Sequence, residues 1–361
     1  MKPNLLAMSL PELEVYVQAN AQPKFRARQI QEWLLKGVPF EKMENLPKAF
    51  RTHLQQTAQS GLIEIVEILR SQKDETEKYL FLLTDGNVIE GVSMRYHYGT
   101  TLCVSSQVGC AMACAFCASA IGGKVRDLAA HEMLAQVIAV NAHLEQFGQR
   151  VHNVVIMGSG EPLDNYDNTV SFLRQANSLL GIGIRNISVS TCGLVQPMLR
   201  FAQEGLPVTL SLSLHAADDE TRMRIMPIAH KYSIAQTLEA LWNYTAVTNR
   251  RAVIEYAMIA GVNDTKQQAL QLAGLLANKL CHVNVIPLNS VKERSLFTAQ
   301  EQSIAQFMQV LQQNHISVTR RRSLGEDIEG ACGQLRRKTI QAGGVIDHEY
   351  CKGNASGQGA G

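Results

Sequence analysis

Three cysteines fall within eight residues in the run Gly109-Cys110-Ala111-Met112-Ala113-Cys114-Ala115-Phe116-Cys117. The spacing is C-x3-C-x2-C, with an aromatic residue before the last thiol. Three thiolates on one short loop can hold three irons of a cubane iron–sulfur cluster and leave the fourth iron without a protein ligand, whereas most such clusters are closed by four cysteines. An open metal position is reactive, because something other than protein must bind there. A structural zinc site would need a fourth Cys or His at short range. The nearest upstream thiol is Cys103 and the nearest downstream histidine is His131, neither at a usual zinc spacing. Buried cysteines also serve as small core hydrophobes, but three on one loop rich in Gly, Ala and Ser point to a metal.

The elements that must position these thiols can be read from pattern. Residues 1 to about 75 read as helical: Ser9-Leu10-Pro11-Glu12 is a capping box with proline in the first turn. Apolar residues at helical spacing follow through Tyr16 and again through Ile30, Trp33 and Leu34. Residues 76–98 read as a β-hairpin turning at Asp85-Gly86. Strand-like runs then alternate with helical stretches. The strands are expected near Leu102–Ser105, Asn153–Met157, Asn186–Ser190, Val208–Leu214, Ala252–Ile259, His282–Pro287 and Ser317–Arg320. Such alternation implies a parallel sheet, either doubly wound or a barrel.

Polar and glycine-rich signals directly follow these strands, where both architectures place their sites. Gly158-Ser159-Gly160-Glu161-Pro162 follows one strand, and Ser190, Ser213-Leu214-His215 and Asn289 end others. Gly160 would let the backbone approach a ligand closely. Glu161 could bond an ammonium or ribose hydroxyls, and Ser190, Ser213 and Asn289 offer neutral donors and acceptors.

The chain has 361 residues, eight cysteines and a formal net charge of +2. Met1-Lys2-Pro3-Asn4-Leu5-Leu6 lacks a secretion pattern and no apolar run approaches membrane-spanning length, so a cytoplasmic protein is expected. Cysteine usage then argues for metal or redox chemistry and against a disulfide scaffold. Basic residues gather at Lys24, Arg26, Arg28, Lys36, Lys48 and Arg51, and at Arg320-Arg321-Arg322 and Arg336-Arg337-Lys338, which bracket Cys332. Any single cluster is a plain solvated face; two of them suit phosphate contacts of a nucleic acid.

The cysteine spacing and its aromatic residue resemble the radical S-adenosylmethionine (SAM) enzymes. Longer runs are similar to the RlmN/Cfr methyltransferases within them: Leu102-Cys103-Val104-Ser105-Ser106-Gln107-Val108-Gly109-Cys110, Gly160-Glu161-Pro162, Ser213-Leu214-His215-Ala216, Met226-Pro227-Ile228, Gly261-Val262-Asn263-Asp264 and Gly325-Glu326-Asp327-Ile328-Glu329-Gly330-Ala331-Cys332. The resemblance spans nearly the whole chain. It implies an α/β fold: a partial (β/α)6 barrel over 99–340 that includes the loop of Cys332, a helical RNA-binding accessory domain over 1–75, the hairpin extension over 76–98 and a flexible tail over 341–361. It implies a [4Fe-4S] cluster on Cys110, Cys114 and Cys117, and SAM, two molecules per turnover, held by Gly160, Glu161, Ser190, Ser213, Leu214, His215 and Asn289.

The activity implied is methylation of an adenine ring carbon. Cys332 takes a methyl group from one SAM, a radical made from the second removes a hydrogen from it, and the carbon radical adds to the base, forming a transient protein–RNA crosslink. Glu90 matches the family's proton acceptor. Cys103 then attacks the Cys332 sulfur, releasing product and leaving a disulfide. RlmN types act on carbon 2 of an adenosine in the peptidyl-transferase region of 23S rRNA and, in some members, on one beside the tRNA anticodon. Cfr types act on carbon 8 and give antibiotic resistance; Pro162 after Glu161 is the RlmN pattern. A flavodoxin-like electron donor and a monomer are expected. Cys192 stands where relatives commonly have serine, Cys281 is expected in the core and Cys351 in the tail. Two other classes stay open on residues alone: a radical enzyme acting on a small molecule, and a binding protein with a structural metal.

Overall fold

Within the parallel strands, residues alternate between apolar and small polar types, as in Ile187-Ser188-Val189-Ser190 and Leu210-Ser211-Leu212-Ser213. Successive strand side chains point to opposite faces, so these two strands each have one apolar face and one polar face. The computed structural model describes residues 2–289, 295–322 and 324–328.

Ten strands form one sheet: β1 (Glu64–Arg70), β2 (Glu77–Leu82), β3 (Val88–Tyr96), β4 (Gly99–Val104), β7 (Val151–Ile156), β8 (Ile187–Thr191), β9 (Thr209–Ser213), β10 (Ala252–Met258), β11 (Cys281–Pro287) and β12 (Val318–Arg320). The remaining two, β5 (Gln107–Gly109) and β6 (Lys124–Asp127), pair with each other. The order in the large sheet is strictly sequential, antiparallel from β1 to β4 and parallel from β4 to β12. Right-handed crossovers between sequential parallel strands put every connecting helix on the same face. A doubly wound sheet needs a reversal of strand order; this sheet has none, so it is the barrel type. β1 and β12 are its opposite edges.

The helices are α4 (Ala130–Glu145), α5 (Tyr166–Leu180), α6 (Val195–Gln203), α7 (Asp219–Ile225), α8 (Ile234–Thr248), α9 (Lys266–Leu276) and α10 (Glu301–Gln313), after α1 (Leu10–Ala19), α2 (Arg26–Leu35) and α3 (Lys48–Thr57). Capping boxes start several of them: the Ser9 N–H donates to the Glu12 carboxylate at 2.7 Å, and Ser233/Gln236 and Thr265/Gln268 exchange the same bonds at α8 and α9. The outer strand residues, among them Ile156, Val189, Leu212, Tyr256 and Val285, form one buried core with these helices. That core runs on into α1–α3, and Asn4 hydrogen-bonds His131 of α4 at 2.9 Å. Among the described residues no helix is long and apolar enough to cross a membrane.

The expected strands appear within three residues of their expected ends. The hairpin turns at Asp85-Gly86, where Gly86 takes a φ of 82°. One expectation is corrected: Glu64–Arg70, read as part of a helical segment, is a strand paired with β2. The hairpin extends the main sheet, with β3 paired to β4.

The inward residues include Asn153, Ser188, Ser190, Ser211, Ser213, Glu255 and Asn284 beside Val155, Val253 and Ala257, so the concave side is a partly polar lumen and the convex side the packed core. Leu212→Ala is expected to lower stability by about 2–5 kcal/mol, the usual toll of a core truncation. Ser211→Ala, one residue away on the lumen face, should change it by about 1 kcal/mol or less. Denaturant unfolding of the two variants checks this, and equal losses would contradict the inside–outside assignment.

Candidate active site

The thiol loop begins where β5 ends, shortly after β4. Gly109 closes β5 beside β6, and the Cys110 N–H donates to the Gly123 carbonyl at 3.1 Å. A Cβ on Gly109 would lie 2.1 Å from the Gly123 oxygen, so only glycine closes this ribbon. The loop is held at its far side by the Ala115 N–H on the Ile225 carbonyl at 2.8 Å, at the end of α7. Cys110, Cys114 and Cys117 all line one cavity of about 270 Å³ at the carboxyl ends of the parallel strands.

Gly160, Glu161, Ser190, Ser213, His215 and Asn289 line the same cavity. Seven strand-end residues were expected there, and the exception is Leu214: strand alternation turns its side chain into the helix-side core. Gly160 has a φ of 111°, and a Cβ there would meet Gln107 Cβ at 2.6 Å. Its glycine is therefore dictated by packing against the chain after β4, beyond any need of a ligand. Both oxygens of Glu161 already accept backbone hydrogen bonds, from Cys192 at 2.8 Å and Leu163 at 3.0 Å. Burial pushes its carboxyl up, against these bonds. His215 sits in the left-handed region, φ 56°, and its Nδ1 accepts from the Ala257 N–H at 3.0 Å. Burial, and then the charge of Arg222, depress the imidazole to about 3, so it stays neutral with Nε2 carrying the proton. Phe116, the aromatic residue before Cys117, stands edge-on to this ring at 4.8 Å.

Three side chains that no motif singled out hold the site together. Gln107 is fully buried; its carbonyl accepts from the Glu161 N–H at 2.9 Å and its amide donates to Asp127 and Asp164 at 2.7 and 2.8 Å. Asn263 donates to the His215 and Ala257 carbonyls, both at 2.7 Å. Arg222, also fully buried, donates to the Cys192 carbonyl at 2.7 Å and the Leu214 carbonyl at 3.2 Å. Gln107 and Asn263 lie in the quoted runs, but nothing in their spacing tells a positioning residue from a surface one.

The three loop thiols suit a cluster. Burial pushes Cys110 up to about 11 and Cys114 higher, and each is raised further by the charge of its neighbours. Thiolates are disfavoured there unless a strongly positive group joins them, which is what iron supplies. No group of three or more His, Cys, Asp or Glu among the described residues converges as a single ion would require; a cubane needs its thiolates spread around it. Cys192 lines this cavity, while Cys281 is in the helix-side core.

The expected chemistry residues lie on the adjoining wall. Cys103 pairs in register with Val92, and Glu90 is two residues further along β3 on the same face. Glu90 is buried in an ion pair with fully buried Lys78 at 3.1 Å, and is not among the residues lining the 270 Å³ cavity. Leu324 packs on Val92, Met94 and Cys103. Asp327 accepts from Ser71 Oγ at 2.8 Å and the Gln72 N–H at 2.7 Å, while the Gly325 N–H donates to Asp74 at 3.0 Å. These bonds tie the segment leading to Cys332 to the β1–β2 turn. Cys332, Cys351 and the Arg336-Arg337-Lys338 cluster lie outside the described residues.

Comparison with known proteins agrees with this geometry. The Radical SAM superfamily pattern matches residues 104–273, and that of the ribosomal RNA large subunit methyltransferase N-terminal domain matches residues 3–59. A curated protein of Clostridium acetobutylicum, "Probable dual-specificity RNA methyltransferase RlmN", is 45% identical over 341 residues, 94% of this chain and 98% of that one. The chain belongs to the RlmN family of radical SAM RNA methyltransferases. An RlmN relative in Thermoanaerobacter pseudethanolicus is 46% identical over 94% of this chain and 99% of its own. The crystal structure of a radical SAM methyltransferase from Sphaerobacter thermophilus superposes with a TM-score of 0.88 at 40% identity, covering 92% of this chain and 98% of that one. Membership in the RlmN family carries a [4Fe-4S] cluster and SAM as cofactors.

Replacing Cys110, Cys114 or Cys117 singly by alanine is expected to abolish a stable cubane after anaerobic reconstitution. Cys281→Ala should load iron and sulfide as the unaltered chain does. Iron and sulfide analysis with the visible absorption of the cluster checks this; full loading of a Cys114→Ala chain would remove the loop from its assigned role.

Proposed function

We propose that this enzyme methylates carbon 2 of an adenosine in the peptidyl-transferase region of 23S rRNA, with an adenosine beside the tRNA anticodon as a second substrate. The observation that carries the reading is the meeting of two walls: the thiol loop with its polar rim, and the face of β3 and β4 bearing Glu90 and Cys103. A methylase using ordinary displacement has no use for that second wall, because an adenine carbon bearing hydrogen is not nucleophilic.

Held by Cys110, Cys114 and Cys117, the cluster would supply the electron that splits SAM for hydrogen-atom removal from a methyl group. The chain's own residues do the rest. Cys332, as thiolate, forms an S–CH3 bond as the sulfonium–methyl bond of a SAM breaks. Glu161 accepts from the ammonium of SAM, with Ser190, Ser213 and Asn289 around its ribose and base. Neutral His215 offers its Nε2–H as a donor. Once the methylene carbon has bonded to the ring and the unpaired electron has left the adduct, for which the oxidised cluster would be the acceptor, Glu90 takes the proton from the ring carbon; Lys78 balances its charge within the wall. The Cys103 thiolate attacks Cys332 Sγ, the sulfur–carbon bond to product breaks with its electron pair going to the methylene carbon, that carbon takes up a proton to become the methyl group, and both sulfurs end as a disulfide, which a thiol reductant reopens.

Carbon 2 is favoured over carbon 8 by Pro162 and by the RlmN likeness along the chain. Exposed Phe25, with the Arg26 guanidinium 4.9 Å from its ring centroid, and exposed Lys24 support RNA contact by the first helices. A cytoplasmic place and a flavodoxin-type electron donor belong to the same proposal. A target base inside folded RNA must be flipped out, costing roughly a few kcal/mol.

The test is reconstituted enzyme with SAM, reductant and unmodified rRNA fragment or tRNA, followed by mass spectrometry of the digested nucleosides. 2-Methyladenosine is expected, and none from Cys332→Ala. 8-Methyladenosine, or methylation that survives Cys332→Ala, would overturn the reading.

A further inference from the structure

The lumen continues beyond the cofactor cavity. A second cavity of about 260 Å³ lies at the amino-terminal ends of the parallel strands, lined by Asn153, Ser188, Ser211 and Asn284 among others. Met157, Glu255 and Arg321 line both cavities, so the two share a wall. Met94, Tyr96, Val155 and Met157, which border the second cavity, belong to the apolar cluster that contains Cys103. One chamber therefore adjoins both the cofactor cavity and the wall of the resolving thiol.

Two observations say what it takes. Glu255 is only 4% exposed; its Oε1 accepts from Asn284 Nδ2 at 3.1 Å, and its Oε2 has no hydrogen-bond partner among the described residues. A buried carboxylate oxygen without a donor is costly, so this one is suited to a ligand N–H. At the border of the chamber Tyr96 and Tyr98 stack with centroids 5.0 Å apart and planes 7° apart, Tyr98 is 58% exposed, and Arg185 and Arg321 line the same cavity. Exposed aromatic rings beside arginines stack bases and hold phosphates.

We propose that the extruded target adenine seats where this second cavity meets the first at Met157 and Glu255, beside the wall of Cys103, that Glu255 Oε2 accepts from its exocyclic amine, and that Tyr98, backed by Tyr96, stacks a neighbouring base. Guanine would present a carbonyl oxygen where adenine presents the amine, and two acceptors repel. The inference rests on the adenosine-methylating reading above and names how that adenosine is recognised.

The test uses reconstituted full-length enzyme and an RNA fragment carrying either adenosine or purine riboside, which lacks the amine, at the target position. Loss of the amine is expected to cut kcat/KM by tenfold or more in the unaltered enzyme, as when a buried polar group is left unpaired. Glu255→Leu should methylate adenosine poorly and no longer distinguish the two RNAs, while Glu255→Gln, which keeps an acceptor oxygen, recovers part of the discrimination. SAM affinity by calorimetry should stay within about twofold in both. Tyr98→Ala should weaken RNA binding about tenfold with cluster content unchanged. Equal turnover of the two RNAs by the unaltered enzyme would overturn the seat without need of any variant. So would a fall in SAM affinity with discrimination intact in the Glu255 variants, which would give Glu255 to the cofactor. Absence of methylated adenosine from the unaltered enzyme would instead sink the reading on which the inference rests.

Discussion

The direction in which the parallel strands aim their side chains governs this molecule. β-Structure gives each strand two faces, and the sequence spends the apolar residues on the outer one. A barrel that fills its interior with branched residues is a packed core. Here Ser188, Ser190, Ser211, Ser213, Asn153 and Asn284 face inward, and the interior holds two adjoining cavities of mixed polar and apolar lining. The stability lost inside has to come from outside, where Leu210, Leu212, Ile254 and Tyr256 are sealed under the helices. The two cavities described above occupy the space so freed.

A hollow needs rigid rims, and buried hydrogen bonds supply them. Gln107 ties the Glu161 loop to the ribbon that closes the thiol loop, Asn263 fixes the backbone around left-handed His215, and Arg222 clamps the ends of β8 and β9 through carbonyls. Each is fully buried, so each bond is made in a poorly screened setting where a missing partner is expensive. Pre-set geometry of this kind matters for radical chemistry, in which a misplaced hydrogen donor diverts the reaction.

Much of this was legible in the chain. The three cysteines announced themselves by spacing, the strands by β-branched runs, and the rim by polar residues that follow those strands. β1 was not legible for a physical reason. Ile65, Val66, Ile68 and Leu69 fall at helical spacing because a bulge between Ile65 and Glu67 breaks the period of two, and pairing with β2 overrides the local pattern. Leu214 lies between two residues that line the cavity, and only the fold shows that its own side chain turns into the helix-side core. Glu255 stood unnoticed in an apolar strand. Its meaning depends on two cavities meeting, and only the fold brings them together.

In the proposed reaction a methyl group is first carried on sulfur and then delivered as a carbon radical to a base. Turnover with SAM bearing a fully deuterated methyl group tests this most directly, read as the deuterium count of the methyladenosine product. Hydrogen removal from the sulfur-bound methyl predicts a methyl group holding two deuterium atoms and one hydrogen. A product that keeps all three deuterium atoms would mean direct displacement and would contradict the account.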